Sequence, residues 1–329
     1  MEFRTVARPA GSFQEPVSPA EIVAMCRRVL GAATQVCSAV EFNLGTYNGT
    51  FLLDLGRSRR VVLRVAPRPE RQLRSERHWL RSEYAAGPWL AGLAPLVPEV
   101  LGADFTHQVV ERDYLVQTLI VGVPAPEALP GYDRAQWPRF FAQLGAISRQ
   151  LHEVAGERWG ALADADEACW SDALERSLAD SISDLGRLSA GSDDVARLAD
   201  LVKGHRDRLD VLEAPRLLHG DLWTANVLLE AGVAEPTVVG VLDSERAWWG
   251  DPLADWALYR ADARASADER DAFWSAYGGR SAGADLEWRR QLYRGRHLVA
   301  ERVEAARLGN RGRVDATVSD LAAVLSVLA

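Results

Sequence analysis

The stretch LLHGDLWTANVLLE, residues 217–230, sets His219, Asp221 and Asn226 between two apolar runs. A second stretch, VVGVLDSE, carries an apolar run from Val239 to Leu242 that ends in Asp243. Acids and an amide at the ends of short strands are costly to bury unless they bind something. Two carboxylates and one carboxamide form an oxygen donor set suited to Mg2+, which prefers oxygen ligands and keeps several waters. A carboxylate in such a site can also accept or orient the proton of a reacting hydroxyl. Each of these residues taken alone reads as a turn-forming Asx residue. The three together, at these spacings, read as a site.

Two earlier segments offer complementary parts. LGTYNGT, residues 44–50, contains Gly45 and Gly49, which let backbone amides approach phosphate oxygens closely, while Thr46 and Asn48 add donors. On its own this loop is equally a glycine turn in a hairpin. In VVLRVAP, Arg64 interrupts a strand that is apolar on both faces, as in a buried strand. A cation there needs an anion, either phosphate in a cleft or a carboxylate from the next helix, where Glu76 and Glu83 are nearest. The alternative is an edge-strand arginine whose head reaches solvent.

The elements that must position these residues fall into two groups. Residues 1–18 read as a tail, and PAEIVAMCRRVL, residues 19–30, has the apolar spacing of a helix. Short β-type runs follow in SAVEFNL, GTFLLDLG and RRVVLRVAP, then a helical ERQLRSERHWLRSEYAAGPWLAGL that Gly87-Pro88 interrupts, then strands at PEVLGADF and DYLVQTLI. Beyond a Pro/Gly-marked hinge near residues 118–124 the spacing is helical, in RAQWPRFFAQLGAISRQLHEVAG and over residues 170–187 and 193–212. The resulting plan is a tail (1–18), a sheet-rich lobe (19–118) and a larger helical lobe (119–329).

Composition agrees with a folded globular protein of that size. At 329 residues the chain exceeds one ordinary core, with 48% hydrophobic and 26% charged residues. A net charge of −8 disfavours nucleic acid as a partner. No apolar run approaches the roughly 20 residues that span a bilayer, and the N-terminus lacks the apolar core of a secretory signal. Cys26, Cys37 and Cys169 are odd in number and widely spaced, which argues against a disulfide framework or zinc cluster and suits the cytoplasm. Of 38 basic residues only Lys203 is a lysine, and it lies far from these segments.

His-x-Asp with Asn five positions on, then an apolar run ending in Asp, resembles the catalytic and metal-binding segments of the protein-kinase-like fold. HGDLWTANVLL with VLDSERAWWGDPLADWA is similar specifically to the aminoglycoside phosphotransferase family, which also includes choline, fructosamine, homoserine and other small-molecule kinases. The resemblance continues in order through LGTYNGTFLLDLGRSRRVVLRVAP, the Glu83 helix ending at VPEVLG and the hinge-like YLVQTLIVGVP, covering most of residues 40–260. It implies a bilobal α+β fold with the nucleotide in the cleft. It further implies Asp221 as catalytic base, Asn226 and Asp243 as Mg2+ ligands, and a nucleotide site of Gly45, Thr46, Asn48, Gly49, Arg64, Glu83, Thr118 and Ile120. His219 would buttress the loop, Asp251 would brace it through backbone hydrogen bonds, and Asp255 would cap or pin the following helix.

Two departures stand out. Arg64 occupies the position where kinases usually carry a phosphate-clamping lysine, and its planar fork can bridge phosphate and Glu83. DSE replaces the Asp-Phe-Gly of protein kinases, and neither an Ala-Pro-Glu segment nor an activation loop follows, which argues against a protein kinase. The implied activity is transfer of phosphate from ATP, or GTP, with Mg2+ to a hydroxyl of a small acceptor, cationic or neutral, such as an aminoglycoside or another sugar-containing antibiotic. The alternatives are a metabolic sugar, fructosamine or amino-alcohol kinase, and a catalytically inactive binding module. Trp223, Trp248, Trp249 and Glu245 flank the catalytic segments and are the candidate substrate contacts, since tryptophan faces suit sugar rings and cations. The assembly expected is a monomer or homodimer.

Overall fold

The computed structural model describes residues 2–8, 13–42 and 45–329. Residues 1 and 9–12 of the expected tail, and Asn43 and Leu44 at the entry to the glycine loop, lie outside the described residues. The first part of the chain contains β1 (Glu2–Arg4), α1 (Pro19–Leu30), β2 (Ser38–Glu41), β3 (Gly49–Asp54), β4 (Arg60–Val65), α2 (Trp79–Ala86), β5 (Val100–Asp104) and β6 (Tyr114–Thr118). The strands form one sheet in the order β1-β2-β3-β4-β6-β5. Only β1 on β2 is parallel. β1 corrects the reading of residues 1–18 as a tail, because Glu2–Arg4 pair with Ser38–Val40 at the sheet edge.

Strand alternation decides what faces the cleft. Phe51, Leu53, Val61, Leu63 and Val65 pack against Ile22, Met25 and Cys26 of α1. The residues between them, Thr50, Leu52, Val62 and Arg64, therefore turn to the opposite face and line the cleft. Helix α1 starts where a capping box stops the chain: the Ser18 hydroxyl accepts from the Glu21 amide, and the Glu21 carboxylate accepts from the Ser18 amide.

The helix expected from residue 70 is shorter. Its regular part begins at Trp79, after a left-handed His78 (φ 65°). The Asp184 carboxylate accepts the amides of Arg74 and Ser75, and Glu76 accepts the Leu73 amide, so a local turn replaces the first helical hydrogen bonds. Here tertiary partners override helical spacing.

The rest of the chain supplies β7 (Val123–Pro124), α3 (Ala125–Ala128), α4 (Trp137–Glu153), β8 (Gly160–Ala161), α5 (Trp170–Arg187), α6 (Asp193–Gly204), α7 (Arg206–Leu209), β9 (Arg216–Leu218), β10 (Val227–Leu229), β11 (Val238–Val241), β12 (Trp248–Gly250), α8 (Trp256–Arg264), α9 (Ala267–Tyr277), α10 (Ala284–Arg307) and α11 (Arg311–Leu328). The helical run expected over 193–212 divides at His205. One core joins α5, α6, α10 and α11 through Trp170, Leu174, Leu198, Tyr293 and Leu321. A second joins α4 and α9 to the site strands through Phe140, Leu144, Phe273, Leu217, Leu229 and Val241. Two small sheets, β11-β10-β7 and β8-β12-β9, rest on these cores and present their ends to the cleft. Cys26, Cys37 and Cys169 are all free thiols.

Candidate active site

β9 ends at Leu218 and hands the chain to His219, Gly220 and Asp221. Gly220 adopts φ 77°, and a Cβ there would stand 1.9 Å from the Arg246 carbonyl oxygen, so the loop needs a glycine on both counts. The loop is held from below by Asp255, which is fully buried. Its carboxylate accepts the His219 amide at 3.1 Å and the Gly220 amide at 3.0 Å, and it lies 3.0 Å from His152 Nε2. This corrects the sequence reading, which gave the brace to Asp251 and a helix-capping role to Asp255. Asp255 makes no side-chain cap on α8. Asp251 instead accepts from Arg289 at 2.6 Å and Tyr293 at 2.7 Å, anchoring α10.

Asn226 and Asp243 come together through a hairpin. β10 and β11 run antiparallel with Val227 opposite Val241, so Asn226 faces Leu242, whose amide donates to its carbonyl at 2.8 Å. Asp243 follows in a left-handed conformation, φ 68°. The Asn226 amide nitrogen donates to the Asp221 carbonyl at 2.8 Å and the Asp221 carboxylate at 3.2 Å. Its oxygen is thereby left to accept a cation, together with Asp243. These hard oxygen donors fit Mg2+. Burial pushes the Asp221 carboxyl up to about 7, with Arg246 pulling the other way.

Arg64 reaches the same place from the sheet. It is 7% exposed, and its guanidinium donates to Glu83 at 2.8 Å, Asp243 at 2.5 Å and Glu245 at 2.7 Å. Three carboxylates thus share one cation, with ligand oxygens all within 4.8 Å of one another. Burial, together with the charge of Asp243, pushes Glu83 up to about 7 and Glu245 well above the carboxylate range. At Asp243 burial acts in the same sense, but the charge and hydrogen bond of Arg64, with the charges of Arg246 and His219, together hold its carboxyl below the usual range. Glu76, the other sequence candidate for Arg64, pairs with Arg307 at 3.2 Å instead.

Glu245 lines the cavity, but its carboxylate is already engaged. The turn Ser244–Arg246 carries it into the buried cluster, where it accepts from Asn48 at 2.5 Å as well as from Arg64. Thr46 also crosses the cleft, meeting Glu304 and Arg307 of α10 at 3.4 and 3.3 Å. Gly45, φ 77°, is the conformational glycine of this loop. Gly49 is the first residue of β3, buried opposite Val65, and does not line the cavity.

The cavity between the two halves measures about 1840 Å³. Gly45, Thr46 and Asn48 line it, as do Arg64, the hinge from Gln117 to Gly122 with Thr118 and Ile120, and Asp221, Asn226 and Asp243. Glu83 sits behind Arg64, out of this cavity. Farther in, Trp223 and Trp248 reach the wall. Trp249 does not: strand alternation sends it to the other face, buried edge-on against Trp89 with ring centroids 5.2 Å apart. That corrects its reading as a substrate contact. Arg246 was missed, although it follows DSE directly in sequence. It lies 4.6 Å over Trp79, pairs with Glu304 at 3.3 Å, and its carbonyl packs on Gly220. Arg260 and Arg296, in the wall beyond Asp221, carried no sequence signal beyond helical spacing.

The sequence profile described as "Phosphotransferase enzyme family" matches residues 38–292. Comparison with curated proteins finds no match. Among solved structures, a thermostable mutant of aminoglycoside phosphotransferase APH(4)-Ia, in ternary complex with AMP-PNP and hygromycin B, is 19% identical. That similarity covers 89% of this chain and 94% of that one, with a TM-score of 0.63. The GDP and kanamycin complex of APH(2″)-IIIa is 15% identical over 93% of this chain and 98% of that one, also at 0.63. Likeness at this identity establishes the fold, a bilobal protein-kinase-like α+β architecture.

Proposed function

The chain belongs to the phosphotransferase enzyme family, and we propose that it transfers the terminal phosphate of ATP, or GTP, to a hydroxyl of a small molecule with the help of Mg2+. The observation that carries this reading is the convergence of Asp221, Asn226, Asp243 and Arg64 at one end of the cleft, where Arg64 donates to Asp243 at 2.5 Å and Asn226 donates to Asp221 at 2.8 and 3.2 Å. Asp221 takes or orients the acceptor hydroxyl's proton as the new O–P bond forms and the bond to the departing nucleoside diphosphate breaks. Asn226 and Asp243 are suited to hold Mg2+, which when bound neutralises charge on the phosphates. Arg64 clamps phosphate and is itself set by Glu83. The Gly45–Asn48 loop covers the phosphates, and the hinge around Thr118 and Ile120 seats the base.

A protein-kinase reading is disfavoured by the short path from Asp243 to β12, which begins at Trp248 and leaves no room for an activation loop. An inactive binding module is disfavoured by the intact Asp221, Asn226 and Asp243. The antibiotic-bound structures of similar fold support a sugar-containing antibiotic as the first acceptor class to test, with a metabolic sugar, fructosamine or amino alcohol as the second. Three free thiols suit a reducing, cytoplasmic setting.

The test is a screen for transfer of label from γ-labelled ATP and GTP to antibiotics, sugars and amino alcohols, with and without Mg2+. Metal-dependent formation of a phosphorylated acceptor is expected. Nucleotide that neither binds nor turns over under any of these conditions would overturn the reading.

A further inference from the structure

The charge of the cavity wall beyond Asp221 narrows the acceptor class, on the premise that the cleft is a phosphotransferase site. This wall is built from α8 and α10 and from Trp223, Trp248 and Trp256. Arg260 and Arg264 line it from α8, and Arg296 from α10. The Arg260 guanidinium lies 5.2 Å over Trp223 and 5.8 Å from the ring centre of Trp256, and that of Arg296 lies 4.4 Å over Trp248. None of the three has a carboxylate within ion-pair distance among the described residues, whereas most arginines around them do. Arg264 is exposed at the end of its helix, where a lone cation is unremarkable. Arg260 and Arg296 are half-buried, and Arg296 Nε is fully buried with no hydrogen-bond partner. Next to it, His297 also lines the cavity, and its buried Nε2 has no hydrogen-bond partner.

The acids on the same wall are already engaged. Glu301 pairs with Arg313 and Glu304 with Arg246. Asp221 is the candidate base. The two remaining cavity carboxylates without an ion pair, Glu127 and Asp180, stand elsewhere, on α3 and α5, and Asp180 lies in the field of Arg176, Arg74 and Arg77. A polycation entering this end would meet uncompensated guanidiniums and find no free carboxylate, while an anion would supply what the wall lacks. The burial of Arg296 and its proximity to Arg246 also weaken its hold on its proton, the mark of a cation short of anions.

We propose that the acceptor is a hydroxylated ring compound bearing an anionic group, carboxylate or phosphate, which Arg260 and Arg296 receive while the hydroxyl meets Asp221. Arg264 forms the outer rim. Arginine suits the task because its planar fork binds either oxyanion in two-point fashion.

Calorimetric titration in the presence of Mg2+ and AMP-PNP tests this, using four matched probes: glucuronate, glucose 6-phosphate, glucose and glucosamine. At least one anion is expected to bind tenfold or more tightly than glucosamine, with a preference that fades as salt is raised, and the better of the two identifies carboxylate or phosphate. Arg260→Gln should abolish most of that preference, Arg260→Lys should restore part of it, and Arg260→Glu should shift it toward glucosamine. Arg296→Gln gives the same loss from the other helix, and the half-exposed Arg260 series keeps the test open if that variant folds poorly. Glucosamine binding as well as both anions, no binding of either anion, or an Arg260→Glu variant with the parent's ratio overturns the proposal. Binding of AMP-PNP is measured separately, so its absence counts against the phosphotransferase reading, and its presence without anion preference counts against the anionic acceptor alone.

Discussion

Arg64 and Asp243 are 179 residues apart in the chain, yet the guanidinium of one lies 2.5 Å from the carboxylate of the other. The pair joins β4 of the sheet to the end of β11 in the helical lobe, across the mouth of the nucleotide cleft. The same arginine holds Glu83 and Glu245, so one cation organises three acids drawn from both lobes. Arg64→Ala should therefore raise the KM for ATP by about tenfold or more and lower kcat, because both a phosphate contact and the setting of Asp243 are lost. Arg64→Lys keeps the charge without the fork and should recover part of the activity. Steady-state kinetics decide the matter: ATP use at the parent's rate and KM by Arg64→Ala would reduce Arg64 to a strand residue.

Asp221→Ala should lower kcat by about 10² or more while nucleotide affinity stays close to the parent's, since a general base acts on the acceptor's proton rather than on the nucleotide. Turnover and nucleotide binding measured on the same preparation separate the two effects. Near-normal turnover ends the assignment.

Metal dependence reports on Asp243 and Asn226. Asp243→Asn removes a charged oxygen from the Mg2+ set and should move half-maximal activity to a markedly higher Mg2+ concentration. A Mg2+ titration of rate that superimposes on the parent's would show that the ion is held elsewhere.

Asp255 gives a stability prediction. Asp255→Ala removes the acceptor of the His219 and Gly220 amides and the partner of His152. Each buried group left unsatisfied costs about 1–3 kcal/mol, so the variant should lose several kcal/mol of unfolding free energy. Asp255→Asn retains one accepting oxygen and should lose less. Urea denaturation of the three proteins checks the order, and equal midpoints for parent and Asp255→Ala would remove Asp255 from its bracing role.

His297 predicts how stability responds to acid. Burial, with Arg296 adding to it, depresses this imidazole to about 3, whereas the unfolded chain binds its proton near about 6.5. Between those values the unfolded state holds a proton that the folded state refuses. The contribution is complete above pH ~6.5 and is lost as pH falls through the window below it. His297→Phe should therefore show a smaller drop in melting temperature between pH 7 and pH 5 than the parent does. Identical slopes for the two proteins would contradict the assignment.

The sequence by itself determined the parts whose signals are local. Apolar runs on either side of His219–Asn226 and before Asp243 located β9, β10 and β11, short β-type runs located β3, β4 and β6, and apolar helical spacing located α1 to the residue. Glu83 was one of two acids, with Glu76, that the residues offered Arg64, and the family resemblance pointed to it; the ion pair of Arg64 with Glu83 decides between them. Tertiary structure decided the rest. It drew Glu245 under Arg64, because the turn after a left-handed Asp243 aims that side chain back at the sheet. It gave the catalytic-loop amides to Asp255 rather than Asp251, since β12 carries Asp251 to Arg289 and Tyr293 on α10. It turned Trp248 to the cavity and Trp249 away, a choice of face that period-two spacing poses without answering. And it stopped the second helix short, because Asp184, more than 100 residues away, took the amides at its expected start. In each case the deciding partner is distant in sequence, and a hydrogen bond or ion pair to a distant residue leaves no periodic trace in the chain that contains it.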